Sequence, residues 1–395
     1  MANVNLNSTK VTREALRILH QKLNFIGNIN RTYDDQYANS GAKIGSTLKV
    51  RQPNEFTVRD GAVMNAQDLD ETSTDVTMAT QKGVDVNFTS AELTLDIDDF
   101  SSRILEPAMS ALAAKIEADA LSMYKDVYQQ VNNIGSAITF KKVLEGRKKL
   151  VDSLAPQDNN LACILNTTDN LEMVDAVKGL YNDQATVSKQ YREGMVGRTA
   201  GFKFYENTLL PRHTTGTAAA SSGYLVNGAS QTGATLTVDT GSNTFLKGDV
   251  ITIAGVNRVH PETKEDTGVL QEFVVTANSG GSATSLAISP SIATSGGRQN
   301  VSGSPADNAA ITKIGGASAA HDVSMCFHRD AFAFVTADLI KPQGVDFCAR
   351  EVMDGISMRV IKAYDINNDK MPCRIDVLYG YKTLRAQLAA RLANN

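Results

Sequence analysis

One segment, Phe88 to Val131, constrains the fold of this 395-residue chain more than any other. A strand ending at Phe88 leads through an acidic stretch into a single apolar stripe with steps of three and four residues. That stripe consists of Met109, Leu112, Ile116, Ala120, Met123, Val127 and Val131. Because this spacing keeps one helix face apolar for about six turns, it predicts a helix of about 25 residues from Pro107, roughly 37 Å long. A rod about twice the mean helix length, with no catalytic motif beside it, indicates a structural building block.

The overall composition excludes several classes of protein. The net charge is −4 and the isoelectric point about 5.8, which argues against a chain that coats nucleic acid with its whole surface. Residues 1–10 are polar and lack the apolar segment of a secretory signal. The sequence nowhere reaches the roughly eighteen consecutive apolar residues of a membrane span. We therefore expect a soluble protein of the cytoplasm that needs no cofactor.

Four cysteines are scattered along the chain, and no two of them form a C-x-x-C pair. They are Cys163, Cys326, Cys348 and Cys373. Without an export signal, buried free thiols are the expectation. A zinc site would need paired spacings, so none is predicted.

The N-terminal region has the pattern of a short amphipathic helix from Lys10 to Ile26. Its apolar face comprises Val11, Ala15, Ile18, Leu19, Leu23 and Ile26. Its basic residues are Lys10, Arg13, Arg17 and Lys22. Such a helix could bind an acidic partner or could dock on its own domain, and the pattern favours neither.

From Ser46 to Phe88 the apolar residues alternate with polar ones, which predicts strands. The apolar positions are Leu48, Val50, Val76, Met78, Val84, Val86 and Phe88. Gln81-Lys82-Gly83 is expected to be a turn between the last two strands. The tract from Asp60 to Asp75 is too polar to form a core. It is either a solvated hairpin tip or an arm that becomes ordered on a neighbouring subunit.

Residues 138 to about 213 have a mixed α/β pattern. We expect a helix from Lys141 to Leu154, a strand over Leu161–Leu165 and a helix to Val177 that Thr168 or Asp169 caps. The polar segment from Tyr181 to Arg198 is expected to be a loop.

The composition then changes to that of a small β module. Thr214–Ser222 has the composition of a linker, and a second low-complexity tract runs from Gly296 to Ala320. Short strands separated by glycine-rich turns are predicted between these tracts, at Leu236/Val238, Val250–Ile253, Phe273–Thr276 and Leu286–Ile288. This arrangement predicts a small β-barrel or sandwich inserted into a host fold.

The host fold is expected to resume near His321. Val323–Phe327 is predicted to be a strand and Asp330–Asp338 a short helix or turn. Ile356–Tyr364 and Cys373–Leu378 are expected to pair as strands. The tail from Tyr381 to Leu392 is amphipathic and basic, through Lys382, Arg385 and Arg391.

Two acidic groups could bind a cation, but each has a simpler explanation. Asp96, Asp98 and Asp99 stand where carboxylates cap a helix N-terminus. Asp365-x-Asn367-x-Asp369 begins like a calcium loop but lacks its glycine and its distal glutamate, which favours a hairpin turn. We predict no metal site.

A catalytic group is equally weakly supported. Cys326 and His328, with His321 nearby, could act as nucleophile and base, but no third residue can be named to orient the base. A core cysteine beside a partly exposed histidine is the favoured interpretation. The sequence also lacks a phosphate-binding loop and a G-x-S-x-G motif, so we do not expect an enzyme.

Three segments of the chain resemble one known family. The first segment resembles the run before the spine helix in major capsid proteins of tailed bacteriophages. It is Phe88-Thr89-Ser90-Ala91-Glu92-Leu93-Thr94-Leu95, followed by Phe100, Arg103 and Pro107-Ala108. The second segment resembles the C-terminal segment of the same proteins. It is Cys373-Arg374-Ile375-Asp376-Val377-Leu378-Tyr379-Gly380, with Arg385 and Arg391. The third segment is similar to the insertion domain of P22-type coat proteins. It comprises Lys247-Gly248-Asp249-Val250-Ile251-Thr252-Ile253-Ala254-Gly255-Val256 and Ile288-Ser289-Pro290. The order and spacing of the three segments agree over nearly the whole chain.

The resemblance implies an α+β fold of the Hong Kong capsid type: a long spine helix, an extended β-hairpin loop and an axial α/β domain, with a small β-barrel domain inserted. The implied domains are an N-terminal arm (1–40), the extended loop and peripheral strands (41–97), the spine helix (98–137), the first part of the axial domain (138–215), the inserted barrel (216–318), the second part of the axial domain (319–365), and a C-terminal peripheral/axial strand and tail (366–395).

The resemblance also implies a function and partners. The chain would be a major capsid (coat) protein that forms hexamers and pentamers of an icosahedral shell around double-stranded DNA. A procapsid would assemble on a scaffolding protein in the host cytoplasm and expand during packaging, giving the capsid of the virion. Further implied partners are the portal protein and DNA bound non-specifically; a decoration protein stays open, and no membrane is involved.

Candidate residues follow for each contact. The loop at about 46–75 would reach a neighbouring subunit, with interface candidates Lys49, Arg51, Glu55, Arg59 and Asp60. The arm would contact the scaffolding protein through Arg13, Arg17 and Lys22. The core of the spine helix would be formed by Met109, Leu112, Ile116, Met123 and Val127.

One departure and two alternatives accompany this interpretation. The acidic loop of the family's insertion domain would lie before Ala234, where this chain has only the short segment Tyr224–Gly233. An encapsulin-like compartment shell is the alternative within the same fold. A surface- or carbohydrate-binding β module is the alternative from another class, although residues 214–318 offer only Tyr224, Phe245 and Phe273 as large aromatic groups.

Overall fold

A computed structural model describes residues 14–15, 17–18, 23–31, 47–59, 61–64, 66–67, 71–89, 106–177, 197–353, 356–367 and 370–394. The acidic residues Asp96, Asp98 and Asp99 and most of the predicted loop at 181–198 lie outside these ranges. The chain divides into two compact units. The first comprises Met1–Val50, Thr74–Leu121 and Phe332–Leu384. The second comprises Arg51–Ser73, Ser122–Ala331 and Arg385–Asn395.

The described ranges include the helices α1 (Asn24–Gly27), α2 (Glu106–Leu121), α3 (Phe140–Asp152) and α4 (Thr167–Val177). The strands are β1 (Thr47–Arg51), β2 (Ser73–Thr77), β3 (Thr80–Thr89), β4 (Gln130–Asn132), β5 (Leu161–Leu165), β6 (Arg198–Thr199), β7 (Phe202–Glu206), β8 (Arg212–Thr214), β9 (Ser221–Val226), β10 (Gly233–Asp239), β11 (Val250–Val259), β12 (Asp266–Val275), β13 (Ser285–Ile292), β14 (Ala310–Lys313), β15 (Ala320–His328), β16 (Phe332–Ala337), β17 (Phe347–Met353), β18 (Ile356–Lys362), β19 (Lys370–Thr383) and β20 (Ala389–Asn394).

The spine helix is shorter than the apolar spacing predicts. Helix α2 ends at Leu121 and continues as a 3-10 turn from Ser122 to Asp126, while Val131 lies in strand β4. Residues 127–131 are Val-Tyr-Gln-Gln-Val, a β-favouring composition, and β4 pairs in parallel with β20. The stripe residues are nevertheless buried, in the helix, in the turn and in the segment after it: Met109, Leu112, Ile116, Ala120, Met123, Val127 and Val131.

The first unit contains two sheets. A two-stranded sheet of β1 and β2 buries Leu48, Val50 and Val76 against β16. A five-stranded sheet has the order β16-β19-β18-β17, with β3 also paired to β19. The antiparallel pairing of β18 with β19 confirms the predicted strand pair.

The predicted turn at Gln81-Lys82-Gly83 is wrong. These three residues lie inside β3 and pair with Asp376, Val377 and Leu378 of β19. Gly83 is required by a close approach and not by a turn, because a Cβ atom there would lie 2.6 Å from the carbonyl oxygen of Ile375.

The second unit is built on a seven-stranded sheet of order β4-β20-β15-β5-β7-β6, with β8 on β15. The predictions of α3 and β5 are confirmed. The residue that caps α4 is Asn166, because its side-chain oxygen accepts the backbone N–H of Asp169 at 2.6 Å. Thr168 and Asp169 were expected in that role but lie within the first turn of the helix.

Six strands of the second unit close into a barrel of order β10-β13-β12-β11-β14-β9. The predicted β module is thus present, but β14 lies in the second tract that composition assigns to a linker, and β9 begins in the first. In β9 the buried residues Ser222, Tyr224 and Val226 alternate with more exposed ones, and low-complexity composition hides this period of two. Inside the barrel pack, among others, Tyr224, Leu236, Phe245, Ile253, Phe273, Ile288 and Ile311.

Two C-terminal predictions are also corrected. Asp330–Asp338 is mainly strand β16, buried on both faces, with a 3-10 turn only over Arg329–Ala331. Its Phe-Ala-Phe-Val run has the composition of a fully buried strand. Arg391 is not on an exposed basic tail but lies 1% exposed within β20.

Candidate assembly surfaces and the root of the barrel

The segment between β1 and β2 forms an extended loop, residues 52–72. Its two sides are joined at the base, where the N–H of Gln52 donates to the carbonyl of Thr72 at 2.9 Å. Further out, the N–H of Thr57 donates to Oε1 of Gln67 at 2.9 Å. These bonds keep the two sides of the loop paired although it has no core of its own.

Apolar side chains near the end of this extended loop are exposed. The exposed fractions are 59% for Phe56, 91% for Val58, 83% for Val63 and 82% for Met64. Burial of such groups is favourable by about 25 cal/mol per Å² of apolar surface, and the single subunit leaves this gain unrealised. Clustered exposed apolar groups of this kind are typical of a protein–protein contact.

The predicted interface residues surround these groups but already have partners within the subunit. Arg51 lies 3.3 Å from Glu71, and Glu55 lies 3.6 Å from Nζ of Lys264. Arg59 donates to the carbonyl of Val63 at 3.1 Å and to that of Gly61. The side chain of Lys49 is exposed, and Asp60 lies outside the described residues. Because such exposed ion pairs contribute little stability, these residues remain available to a neighbour.

The N-terminal arm is described only in part, and Arg13 and Lys22 lie outside that part. Arg17 is exposed and pairs with Glu14 one turn earlier, its Nη2 lying 2.5 Å from Oε1. Ala15 and Ile18, on the opposite face, are buried. In the described part of the arm the apolar residues are therefore buried, and the Arg17 side chain is presented outward.

A buried carboxylate anchors the arm just beyond this helical turn. Oε1 of Glu117, on α2, accepts the N–H of Phe25 at 2.5 Å, and Oε2 accepts that of Ile26 at 3.4 Å. Glu117 is 0% exposed. Phe25 also packs edge-on against Phe332, with ring centroids 5.5 Å apart. The first turn of α1 is capped by a residue about 90 positions later in sequence.

A second buried polar group lies at the root of the barrel. The hydroxyl of Tyr124 donates to Nδ1 of His213 at 3.0 Å, and Nε2 of His213 donates to Oδ1 of Asp249 at 3.1 Å. Oδ2 of Asp249 accepts the N–H groups of Gly216 and Leu246, each at 2.9 Å. Because a carboxylate only accepts, the hydrogen bond to Asp249 places a proton on Nε2 of His213.

Burial and hydrogen bonds shift the pKa values of two members of this network, Tyr124 and Asp249. Burial raises the pKa of the Tyr124 hydroxyl to about 12. Burial alone would raise the pKa of Asp249, but hydrogen bonds from His213 and the two backbone amides outweigh it and lower the pKa. The order hydroxyl, imidazole, carboxylate is that of a catalytic triad, yet Tyr124, His213 and Asp249 are all at most 4% exposed. The group therefore joins the barrel to its host and has no access to a substrate.

Sequence reasoning missed this network because its members come from three distant segments. Only the Lys247-Gly248-Asp249 turn carried a local signal. Gly248 adopts a φ of +101°, and a Cβ there would lie 3.0 Å from Cε1 of His213. Lys247 in the same turn pairs with Asp126 at 3.5 Å.

The residues considered as nucleophile and base are not brought together. Sγ of Cys326 contacts Sγ of Cys163 at 3.0 Å, whereas Nε2 of His328 lies 3.0 Å from Oδ1 of Asp158. His328 is 1% exposed, so the expectation of a partly exposed histidine is wrong. His321 is also 1% exposed and lies edge-on to His213, with ring centroids 5.4 Å apart.

The acidic turn at Asp365 is a hairpin connection. Asp365 bridges to Lys370, and its Oδ1 accepts the N–H of Asn367 at 3.0 Å, while Asp369 lies outside the described residues. Within the described ranges no group of His, Cys, Asp and Glu has the arrangement of a metal site. Nor is any helix in those ranges long and apolar enough to cross a membrane.

Comparison with known proteins adds a family. The model of the family described as "P22 coat protein - gene protein 5" matches residues 29–390. No curated protein gives a match.

Solved structures are similar to this chain at low identity. One of Mycobacterium phage Che8 has 12% identity over 92% of this chain and 89% of that chain, with a TM-score of 0.49. The mature capsid of bacteriophage PhiM1 has 10% identity over 88% and 82%, with a TM-score of 0.45. The CUS-3 coat protein I-domain has 33% identity over 23% of this chain and 95% of that chain, with a TM-score of 0.20. The assignment rests on the family match, because each TM-score is below 0.5.

Proposed function

The chain belongs to the P22 coat protein family, and from this premise we propose a scaffolded assembly route for it. Membership confirms the Hong Kong-type α+β capsid fold with its inserted barrel and identifies the protein as a major capsid subunit. Subunits of this family assemble into the shell of the virion.

We propose that the extended loop, residues 52–72, binds a neighbouring subunit. The observation that supports it is the exposure of Phe56, Val58, Val63 and Met64 in the isolated subunit. Lys49, Arg51, Glu55, Arg59 and Asp60 form the polar rim of this contact. Many modest contacts of this kind, each of roughly 1,600 Å², allow cooperative closure of a shell without any single irreversible step.

We propose that the charged face of the N-terminal arm binds a scaffolding protein through Arg13, Arg17 and Lys22. The orientation of the described part supports this, because Ala15 and Ile18 are buried while Arg17 is exposed. Attraction between basic arm residues and an acidic partner is weakened by salt. A contact of this strength is expected to be reversible.

In the proposed route, a procapsid assembles in the host cytoplasm on the scaffolding and portal proteins. It then expands as double-stranded DNA enters. A net charge of −4 fits a shell whose contents move, because a strongly basic lining would hold the DNA phosphates. DNA is accordingly expected to bind only weakly and without sequence preference.

Electron microscopy with light scattering tests this function directly. The full chain is expressed alone and together with the genes beside it, and the particles are purified. Closed, uniform shells that become more numerous or more regular with a neighbouring gene product support the scaffolded route. Only monomers or small oligomers under every condition would contradict it.

A further inference from the structure

Two cysteines face each other on two strands that precede and follow the inserted barrel in the sequence. Cys163 of β5 and Cys326 of β15 are direct partners in an antiparallel ladder, and their Sγ atoms are 3.0 Å apart. Both are 0% exposed. We propose that Cys163 and Cys326 are a disulfide-forming pair, reduced in a newly folded subunit and linked by exchange with a small-molecule disulfide.

The backbone already has a suitable arrangement. Directly opposite residues of an antiparallel pair have Cβ atoms about 4.5–5.5 Å apart, and a disulfide requires about 3.5–4.5 Å. The sulfur atoms must move together by about 1 Å to reach a bond length of about 2.05 Å. A change of this size can be met by side-chain rotation and a small approach of the two strands.

The other two cysteines provide an internal comparison. Cys348 lies on β17 and Cys373 on β19, and β18 runs between them. Their separation is therefore about two strand spacings, close to 9.6 Å. Since disulfides join Cα atoms no more than about 7 Å apart, Cys348 and Cys373 cannot pair within the sheet. The geometry thus favours the Cys163–Cys326 pair over the Cys348–Cys373 pair.

Access to the pair is restricted in the folded subunit. A Cβ atom at Gly146, on α3, would lie 3.7 Å from Sγ of Cys326 and 3.1 Å from the side chain of Leu392, so α3 covers the pair closely. Burial raises the pKa of the Cys163 thiol, which disfavours the thiolate needed for exchange. The folded dithiol is consequently slow to react, and linkage requires opening of this layer or oxidation before it closes.

The exchange has two balanced steps. The thiolate of one cysteine attacks a sulfur of the small disulfide, such as oxidised glutathione, giving a mixed disulfide and one released thiolate. The second cysteine, after losing its proton to solvent, attacks the protein-side sulfur and releases the second small thiolate. The two protein thiols lose two electrons, and the small disulfide takes them up as two thiols.

The position of the pair gives the bond a specific consequence. The closed loop would run from Cys163 to Cys326 and contain the whole barrel, from β9 to β14. Linkage would hold β5 beside β15 even when the barrel unfolds. Because long closed loops restrict the unfolded chain most, the melting temperature is expected to rise by roughly 5 °C or more.

The test uses the full chain, as free subunits and as assembled particles. Samples are equilibrated with mixtures of reduced and oxidised glutathione, with and without a low urea concentration that promotes opening. Free thiols are then alkylated under denaturing conditions, and peptides are mapped by mass spectrometry without reduction. Cys163→Ala and Cys326→Ala are the test variants, and Cys348→Ala with Cys373→Ala is the matched control.

Three results are expected. The peptides of Cys163 and Cys326 are linked to each other, urea accelerates the linkage, and dithiothreitol reverses both the linkage and the rise in melting temperature. The control variant behaves like the parent chain, and each test variant shows no internal link. Full alkylation of Cys163 and Cys326 after equilibration in urea and oxidised glutathione, or links that involve mainly Cys348 or Cys373, would overturn the proposal. Because the parent chain carries this outcome, it holds even if a test variant fails to fold.

Discussion

The buried carboxylate of Glu117 caps the helical turn that begins at Asn24, by accepting the backbone N–H of Phe25 at 2.5 Å and that of Ile26 at 3.4 Å. A residue of the spine helix thereby fixes the arm. Backbone N–H groups at a helix start have no partner within the helix, so this carboxylate supplies what the local sequence does not.

Replacing Glu117 is expected to release the arm. Glu117→Ala leaves the buried N–H groups of Phe25 and Ile26 without acceptors and should lower the free energy of unfolding by about 2 kcal/mol. Hydrogen exchange of these two amides should accelerate well beyond that of the five-stranded sheet. Glu117→Gln keeps one acceptor oxygen, so its free energy of unfolding should lie between those of the parent chain and Glu117→Ala. Unchanged protection of both amides in Glu117→Ala would refute the cap.

The extended loop is expected to matter for assembly and not for folding. Shortening residues 54–70 should leave a folded monomer that does not form stable shells, because the exposed Phe56, Val58, Val63 and Met64 lose their site on a neighbour. Circular dichroism and light scattering separate folding from assembly. Normal, stable particles from this deletion would exclude the proposed role.

A finer variant of the same loop keeps its length. Val58→Ser combined with Val63→Ser and Met64→Ser should raise the subunit concentration needed for assembly at least about tenfold, since loss of about 1.4 kcal/mol suffices for that factor. Val269→Ser is the matched control, because Val269 is also exposed, at 54%, but lies on the barrel. An equal effect of the control would show that exposed apolar area in general, and not this loop, drives assembly.

The spine helix provides a test of burial at a single position. Ile116 is 1% exposed, and Ile116→Asp places an unpaired charge in the core, which should abolish folding to a dispersed subunit. The matched control is Ala111→Asp, on the exposed face of the same helix. Yield and melting temperature of the two variants are compared with the parent chain. Parent-like values for Ile116→Asp would mean that the buried face lies elsewhere.

The sequence predicts those elements whose physical signal is local. Alternation of large aliphatic residues locates β1, and the spacing of apolar residues locates α2 and α3. The end of α2 is not a local feature, because the strand that follows it, Gln130–Asn132, forms by pairing with β20. Strands β9 and β14 escape for a related reason, since barrel closure gives strand geometry to low-complexity segments. Glu117 and the Tyr124–His213–Asp249 network join residues distant in sequence, and no spacing rule can connect them.

The root of the barrel should respond to loss of one hydroxyl. Tyr124→Phe removes the donor to Nδ1 of His213 and leaves that buried nitrogen without a partner, which should cost about 1–2 kcal/mol of unfolding free energy. Urea denaturation measures the loss. Exchange of the Gly216 and Leu246 amides, which Asp249 binds, should also accelerate. No change in either quantity would show that the hydroxyl contributes nothing to the junction.

The neighbouring His321 makes this junction sensitive to acid. Burial, with the neighbouring His213 and Arg391, lowers the pKa of His321 to about 4, against an unperturbed value of about 6.5. The facing groups are His213, Arg391, Asp249 and the carbonyl of Ala319. Between these two pKa values the unfolded chain binds a proton that the folded subunit does not, so stability falls as the pH falls below about 6.5.

From this group alone the free energy of unfolding should be about 2 kcal/mol lower at pH 5 than at pH 7.5. Urea denaturation across this range measures the slope. His321→Asn should flatten it, because asparagine takes up no proton in either state. His260→Asn, which replaces a histidine in a turn of the barrel, is the matched control. An identical pH dependence in the parent chain and His321→Asn would show that acid acts elsewhere. The loss of stability would then belong to carboxylates such as Asp249, whose lowered pKa places their effect at more acidic pH.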